Sequence, residues 1–284
     1  MFSEVKIMII RSDWHIHSEF SYDATSTLVA IAINAKEQGL SFVGITDHAN
    51  YNDKEFLGDL YASAAGVKAA REKYPFMIAG VELTPIAKPV FDYIAKTGIR
   101  KGYTLYQQSE PYDIELAATK EELVSLGVRY AVSAAHWRVD KANAPMETEL
   151  DENIKEWYRQ QLWLACDERT TILGHPWYHP YRLWYDDFSM IPRSMNMEIA
   201  AALKENGKYV ECNSHFFKDH FTSEKFKRQY AEYLRELFEM GIPVTYGSDA
   251  HREYVDLRPV VEKHLELAGF AEGDISELSE ASLW

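Results

Sequence analysis

Seven short apolar runs, each ending in a polar cluster and followed by a stretch with helical spacing, most constrain what this 284-residue chain can fold into. The runs are residues 5–10, 41–45, 76–81, 128–134, 171–173, 209–212 and 242–246. Between them, helices are predicted over 28–38 (capped by Ser26 or Thr27, stopped by Gly39), 53–74, 120–126 (stopped by Gly127), 149–168, 193–206, 223–240 and 257–267. Such alternation argues a parallel sheet with crossover helices. With seven units, no linker and no glycine-rich dinucleotide fingerprint, an α/β barrel is favoured over a doubly wound sheet. The whole chain, 1–284, is expected to form one barrel domain with two loop excursions, about 85–114 and 176–192.

Six of the ten histidines fall at the ends of these runs: His15, His17, His48, His136, His175 and His251. Asp23, Glu82 and Asp249 share those places. Strand ends of a (β/α) barrel converge on one mouth, so residues distant in sequence meet there. Nine such side chains exceed the about four to six ligands one ion takes; two or three ions fit better. In His15-Ile16-His17 the middle side chain points to the opposite face, so both imidazoles face the same way, and Asp249-Ala250-His251 repeats the pattern. A bridging carboxylate such as Glu82 suits two cations about 3.5–4 Å apart. Any one of these motifs is a weak signal; their coincidence at successive strand ends carries the argument. His179, His215, His220 and His264 are read as ordinary, although His179 and His215 follow strand-end motifs closely enough to touch a substrate.

Composition narrows the function. The 30 Lys+Arg against 44 Asp+Glu give a net charge of −14, which opposes a nucleic-acid-coating or membrane-surface role. No stable nucleic-acid partner and no membrane are expected. Hydrophobic residues at 46% and charged residues at 26% match a soluble, folded chain. No segment approaches the roughly 18 apolar residues of a membrane span, and the start lacks a signal-peptide pattern. Cys166 and Cys212 cannot build a disulfide framework, and Cys212 is expected to face the core. A cytoplasmic location is the expectation; the sequence carries no signal for an oligomeric state.

The motifs Asp13-Trp14-His15-Ile16-His17-Ser18, Gly44-Ile45-Thr46-Asp47-His48, Gly80-Val81-Glu82, Ala135-His136, Gly174-His175-Pro176 and Gly247-Ser248-Asp249-Ala250-His251 resemble, as an ordered set, those of the PHP (polymerase and histidinol phosphatase) metal-dependent phosphoesterases. The resemblance implies a distorted TIM-like (β/α)7 barrel with a trinuclear site at the C-terminal mouth of the strands. It implies three divalent metal ions, with Zn, Mn and Fe about equally suited. The first would be held by His15, His17, Glu82 and Asp249, the second by Glu82 as a bridge with His136 and His175, the third by Asp23, His48 and His251. Many members carry histidine at the position of Asp23. Asp13 and Asp47 would be carboxylates that orient imidazoles.

Three divalent ions, three carboxylates and one hydroxide leave such a site at about +2, a field that a small anionic phosphorylated substrate neutralises. The expected activity is hydrolysis of a phosphate ester by a metal-bridging hydroxide, foremost a small-molecule phosphomonoester in the manner of a histidinol phosphatase. Phosphodiester or nucleotide hydrolysis is the close alternative. Arg138 and Arg252 are candidates to stabilise the equatorial oxygens, and Asp249 or His251 to pass a proton to the leaving oxygen. Lys88, Arg100 and Lys101 in the first excursion and the aromatic run 177–185 in the second are expected to shape the pocket; those rings either stack on substrate or pack the loop. An amidohydrolase-type deacylase is less favoured, since no strand-end lysine offers a carboxylated bridge. A non-catalytic metal-binding barrel is less favoured because all nine positions hold competent ligands.

Overall fold

The structure is a computed structural model, in which residues 10–49, 54–97, 112–139, 150–218, 220–252 and 256–284 are described. The chain runs β1 (Ser12–Ile16), α1 (Leu28–Glu37), β2 (Phe42–Ile45), β3 (His48–Ala49), α2 (Lys54–Ala70), β4 (Met77–Leu83), β5 (Ile86–Ala87), α3 (Lys88–Thr97), β6 (Ile114–Glu115) and α4 (Lys120–Leu126). It continues through β7 (Tyr130–Ser133), α5 (Leu150–Cys166), β8 (Ile172–Leu173), α6 (Arg193–Glu205), β9 (Tyr209–Asn213), α7 (Glu224–Glu239), β10 (Val244–Gly247) and α8 (Arg258–Leu267). Helix ends follow local chemistry. Thr27 caps α1 through the Ala30 N–H, Thr119 and Glu122 form a capping box on α4, and Ser223 caps α7.

Seven strands lie parallel in the order β1-β2-β4-β7-β8-β9-β10, and β3 pairs with β4 beyond the end of β2. Across the seam, the His17 N–H donates to Ala250 O at 3.0 Å and the Asp249 N–H to His15 O at 2.7 Å. Asp13 Oδ1 accepts the Ser248 N–H at 2.9 Å. These bonds draw β1 against β10 and leave a nearly closed α/β barrel. Its interior is filled from β7 by Tyr130, whose hydroxyl donates to Trp14 O at 2.8 Å. Gly44 and Gly80 make room for that ring: a Cβ on Gly44 would lie 1.6 Å from the Tyr130 hydroxyl oxygen, and one on Gly80 2.6 Å from Tyr130 Cζ.

The first barrel strand is Ser12–Ile16 and not the apolar run 5–10, of which Ile10 alone lies within the described residues. A strand that carries Asp13 and His15 buries polar groups by bonding them, so apolar content does not mark it. The first excursion has more structure than an irregular loop. In it β5 and β6 pair antiparallel beside α3, and Ala87 and Ile114 pack with Val139 in a small cluster of their own. Lys88 is exposed and paired with Asp92 at 3.0 Å, while Arg100 and Lys101 lie outside the described residues. In the second excursion Trp177, Trp184, Tyr185 and Phe188 join the main core, so those rings pack the loop onto the barrel. Tyr178 packs beside that core half-buried, its ring 5.0 Å from that of His175, and Tyr181 is exposed. Cys212 is buried on β9, and His264 packs on Phe217. Among the described residues, no helix is long and apolar enough to cross a membrane.

Candidate metal centre

The strand ends bring all nine expected ligands into one cluster centred on Glu82, at the end of β4. Glu82 Oε2 lies 3.4 Å from His15 Nε2, 3.2 Å from His17 Nε2 and 2.9 Å from His48 Nδ1. Its Oε1 lies 3.3 Å from His136 Nε2 and 3.1 Å from His175 Nε2. Asp249 Oδ1 is 3.6 Å from His15 Nε2 and 3.4 Å from His17 Nε2. Asp23 Oδ2 is 3.4 Å from Nε2 of both His48 and His251. Three sets offer ligand atoms at chelating distance: His15, His17 and Asp249; Glu82, His136 and His175; and His17, His48 and His251. In the last, His17 takes the place expected for Asp23, which stands beside the other two.

Hydrogen bonds at the far nitrogens orient these rings. His15 Nδ1–H donates to Glu211 Oε1 at 2.7 Å. His17 Nδ1–H donates to Ser21 Oγ at 3.0 Å, whose own proton goes to Asp47 Oδ1 at 3.1 Å. His251 Nδ1–H donates to the Asp249 carbonyl at 3.0 Å, and His136 Nδ1 bonds Thr84 Oγ1 at 3.0 Å. For each of His15, His17 and His251, the Nε2 lone pair is thereby turned into the cluster, the arrangement found where a ring binds a metal. His15 Nε2 and His17 Nε2 face each other at 3.1 Å. Among the described residues, Glu82 Oε2 and His48 Nδ1 are buried without a well-directed hydrogen-bond partner. Converging lone pairs and orphaned buried acceptors are the donor set that divalent cations satisfy.

The electrostatics are those of a cluster short of positive charge. Burial opposes protonation of His15, but Glu211, Asp249 and Glu82 outweigh it and raise its pKa well above the ordinary value. Burial likewise works against charge on His48, yet Glu82 and Asp23 lift it to about 10. Burial would raise Glu82 and Asp249, but the surrounding imidazoles hold both well below the usual carboxylate range. His17 is pushed down by burial and by the charges of His251 and His48.

Asp13 accepts the backbone N–H groups of His15 and Ser248 and so ties β1 to the residues after β10. Asp47 acts on His17 through Ser21, and it also accepts from Ser18 and Ser63. Glu211, which the sequence reading missed, orients His15 directly and accepts the His175 N–H with its other oxygen. His215 joins the cluster, its Nδ1 3.1 Å from Asp249 Oδ2. His179 is buried against Trp157 and Trp184, away from the ligands. Arg138 is buried, 3.4 Å from Glu152, whereas Arg252 is exposed at the edge of a cavity of about 410 Å³. That cavity opens beside Asp249 and His251 and is also lined by His215, Lys218 and His220. Asp249 adopts φ 52°, a left-handed conformation that aspartate tolerates better than most residues.

A family model described as the PHP domain matches residues 13–215. Among solved structures, the chain is similar to histidinol phosphate phosphatase from Lactococcus lactis subsp. lactis, crystallised with zinc, L-histidinol and phosphate. The TM-score is 0.68 at 19% identity, covering 96% of this chain and 98% of that one. It is also similar to a protein from Listeria monocytogenes assigned as a histidinol phosphatase, with a TM-score of 0.61 at 15% identity, covering 85% of this chain and 95% of that one. No curated protein sequence matches. At these identities the structural likeness shows a shared fold.

Proposed function

The chain belongs to the PHP domain family, and from that premise we propose that it hydrolyses a phosphate ester using divalent metal ions held in the barrel mouth. The observation that carries this reading is Glu82, a buried carboxylate contacted by five imidazoles, with one oxygen left without a hydrogen bond. When bound, such ions supply Lewis acidity and a water whose pKa falls towards neutrality.

The side chains divide the remaining work. His15, His17, Glu82 and Asp249 are assigned to one ion, Glu82, His136 and His175 to a second, and Asp23, His48 and His251 to a third. Arg252, at the cavity edge, is assigned to the phosphate oxygens, because Arg138 is engaged with Glu152. His251 Nδ1–H is committed to the Asp249 carbonyl. The pair formed by Asp249 Oδ2 and His215 Nδ1, on the cavity side, is therefore assigned to hold the proton passed to the leaving oxygen. A small-molecule phosphomonoester fits the cavity's volume, and the L-histidinol and phosphate in the Lactococcus structure support that class.

The test is elemental analysis of the purified protein followed by assays of the zinc-, manganese- and iron-loaded forms on p-nitrophenyl phosphate, L-histidinol phosphate and bis(p-nitrophenyl) phosphate. Metal-dependent monoester hydrolysis, abolished in Glu82→Ala, is expected. Undiminished turnover in Glu82→Ala at unchanged metal content defeats the assignment, and turnover of the diester alone moves it to phosphodiester hydrolysis.

A further inference from the structure

Most half-buried or buried cations of the described residues are paired. Arg159 pairs with Glu156, Arg169 with Asp167 and Glu115, Lys227 with Glu224 and Arg258 with Asp256. Lys208 donates to the carbonyls of Asp167 and Thr170. Lys218 Nζ has no hydrogen bond or ion pair among the described residues, although its side chain is half-buried. It follows the short 3-10 turn Ser214–Phe217, whose His215 touches Asp249, and it lines the cavity of about 410 Å³ beside the metal centre. Burial pushes its pKa down, with Asp249 pulling it back.

A partly desolvated ammonium without a partner is costly, and the cost is recovered when an anion arrives. Arg252 and His220 border the same space. With Arg252 assigned to the phosphate oxygens, Lys218 is left in the same cavity as a second cation for a further anionic group.

We propose that the cavity receives the leaving part of the substrate, and that this part carries its own anionic group, of carboxylate or phosphate type, which Lys218 binds. The proposal rests on the phosphoesterase reading of the metal centre and deepens it. Lys218 is then a specificity-determining residue, selecting phosphate esters with an anionic leaving part over those with a neutral or cationic one.

The experiment compares kcat/KM of the metal-loaded full chain on 3-phosphoglycerate, glycerol 3-phosphate and L-histidinol phosphate, whose leaving parts are anionic, neutral and cationic. Wild type is expected to favour 3-phosphoglycerate over glycerol 3-phosphate by about tenfold, and L-histidinol phosphate to be the poorest. Lys218→Met is expected to collapse that ratio, and Lys218→Arg to keep most of it. A wild-type ratio at or below one overturns the proposal, as does an equal loss on all three esters in Lys218→Met, which would place the lysine on the scissile phosphate. Should no ester be hydrolysed, the proposed function fails by itself, and equilibrium binding still decides the cavity's preference. Tighter binding of 3-phosphonopropionate than of propylphosphonate, lost in Lys218→Met, supports it; equal binding overturns it.

Discussion

Glu211 sits in the middle of β9 with both carboxylate oxygens engaged, one by the His15 ring and the other by the His175 N–H and Asn213 Nδ2. Glu211→Gln keeps the shape but removes the charge that makes the His15 ring a stronger donor. Metal affinity should fall about 10- to 100-fold, read by competition with a chromophoric chelator; unchanged affinity would mean the carboxylate serves strand packing alone. This residue escaped the sequence reading because 209–212 scans as an ordinary buried strand. The signal was present in Tyr-Val-Glu-Cys-Asn, since an acid inside a strand covered on both faces must have a partner. The nine side chains of the cluster were legible for the opposite reason, standing at strand ends where polar residues recur in register. His179 offers a second prediction. Burial, with Arg138 adding, lowers its pKa from 6.5 to about 4, and its Nε2 is buried without a partner. The unfolded chain therefore takes up a proton between about pH 6.5 and 4 that the folded chain refuses, so stability is lost as pH falls through that window, by about 3 kcal/mol at most. In His179→Phe, urea titrations at successive pH values should show a shallower slope there; an unaltered slope would assign the acid sensitivity to other groups.

At the scale of elements, β2, β4 and β7 meet around a single ring. Gly44 and Gly80 lack side chains where Tyr130 crosses the barrel, and the clash at Gly44 is first with the hydroxyl oxygen. Gly44→Ala should destabilise by about 1–3 kcal/mol through overpacking. Combined with Tyr130→Phe, which removes the clashing atom and also the bond to Trp14 O, the loss should be smaller than the sum of the two single losses. Additive losses in urea denaturation would show that the ring does not impose the glycine. Six of the seven expected helices were legible to within two residues because their stops are chemical: Thr27, Thr119 and Ser223 at N-termini, Gly127 with φ 84° at a C-terminus; the helix expected over 53–74 ends at Ala70, and α3 was read as part of a loop excursion. The strands were less so. Ser12–Ile16 is too polar to be picked out by hydrophobicity, and the two-residue strands β5 and β6 are too short for any periodicity.

Across the whole molecule, the cluster joins segments that are far apart in sequence. Its side chains come from β1, the loop behind it, β3, β4 and the turns after β7, β8 and β10, so ions bound as proposed would cross-link most of the barrel's circumference. Ions bind the folded arrangement and not the open chain, and an ion present at about a hundred times its dissociation constant adds about 2.7 kcal/mol. Without ions the barrel still has its β1–β10 seam of backbone bonds and a core running from Ile10 to Phe270. Chelation should therefore lower the thermal midpoint by about 5–10 °C while leaving the far-ultraviolet circular dichroism in place, and returned zinc or manganese should restore it. In Glu82→Ala the chelator-induced shift should shrink, because the residue shared by two of the proposed sites is gone. If the midpoint were the same with and without chelator in wild type, and no metal left the protein, the cluster would have to be held by protons, with His15 and His48 as cations paired to its carboxylates.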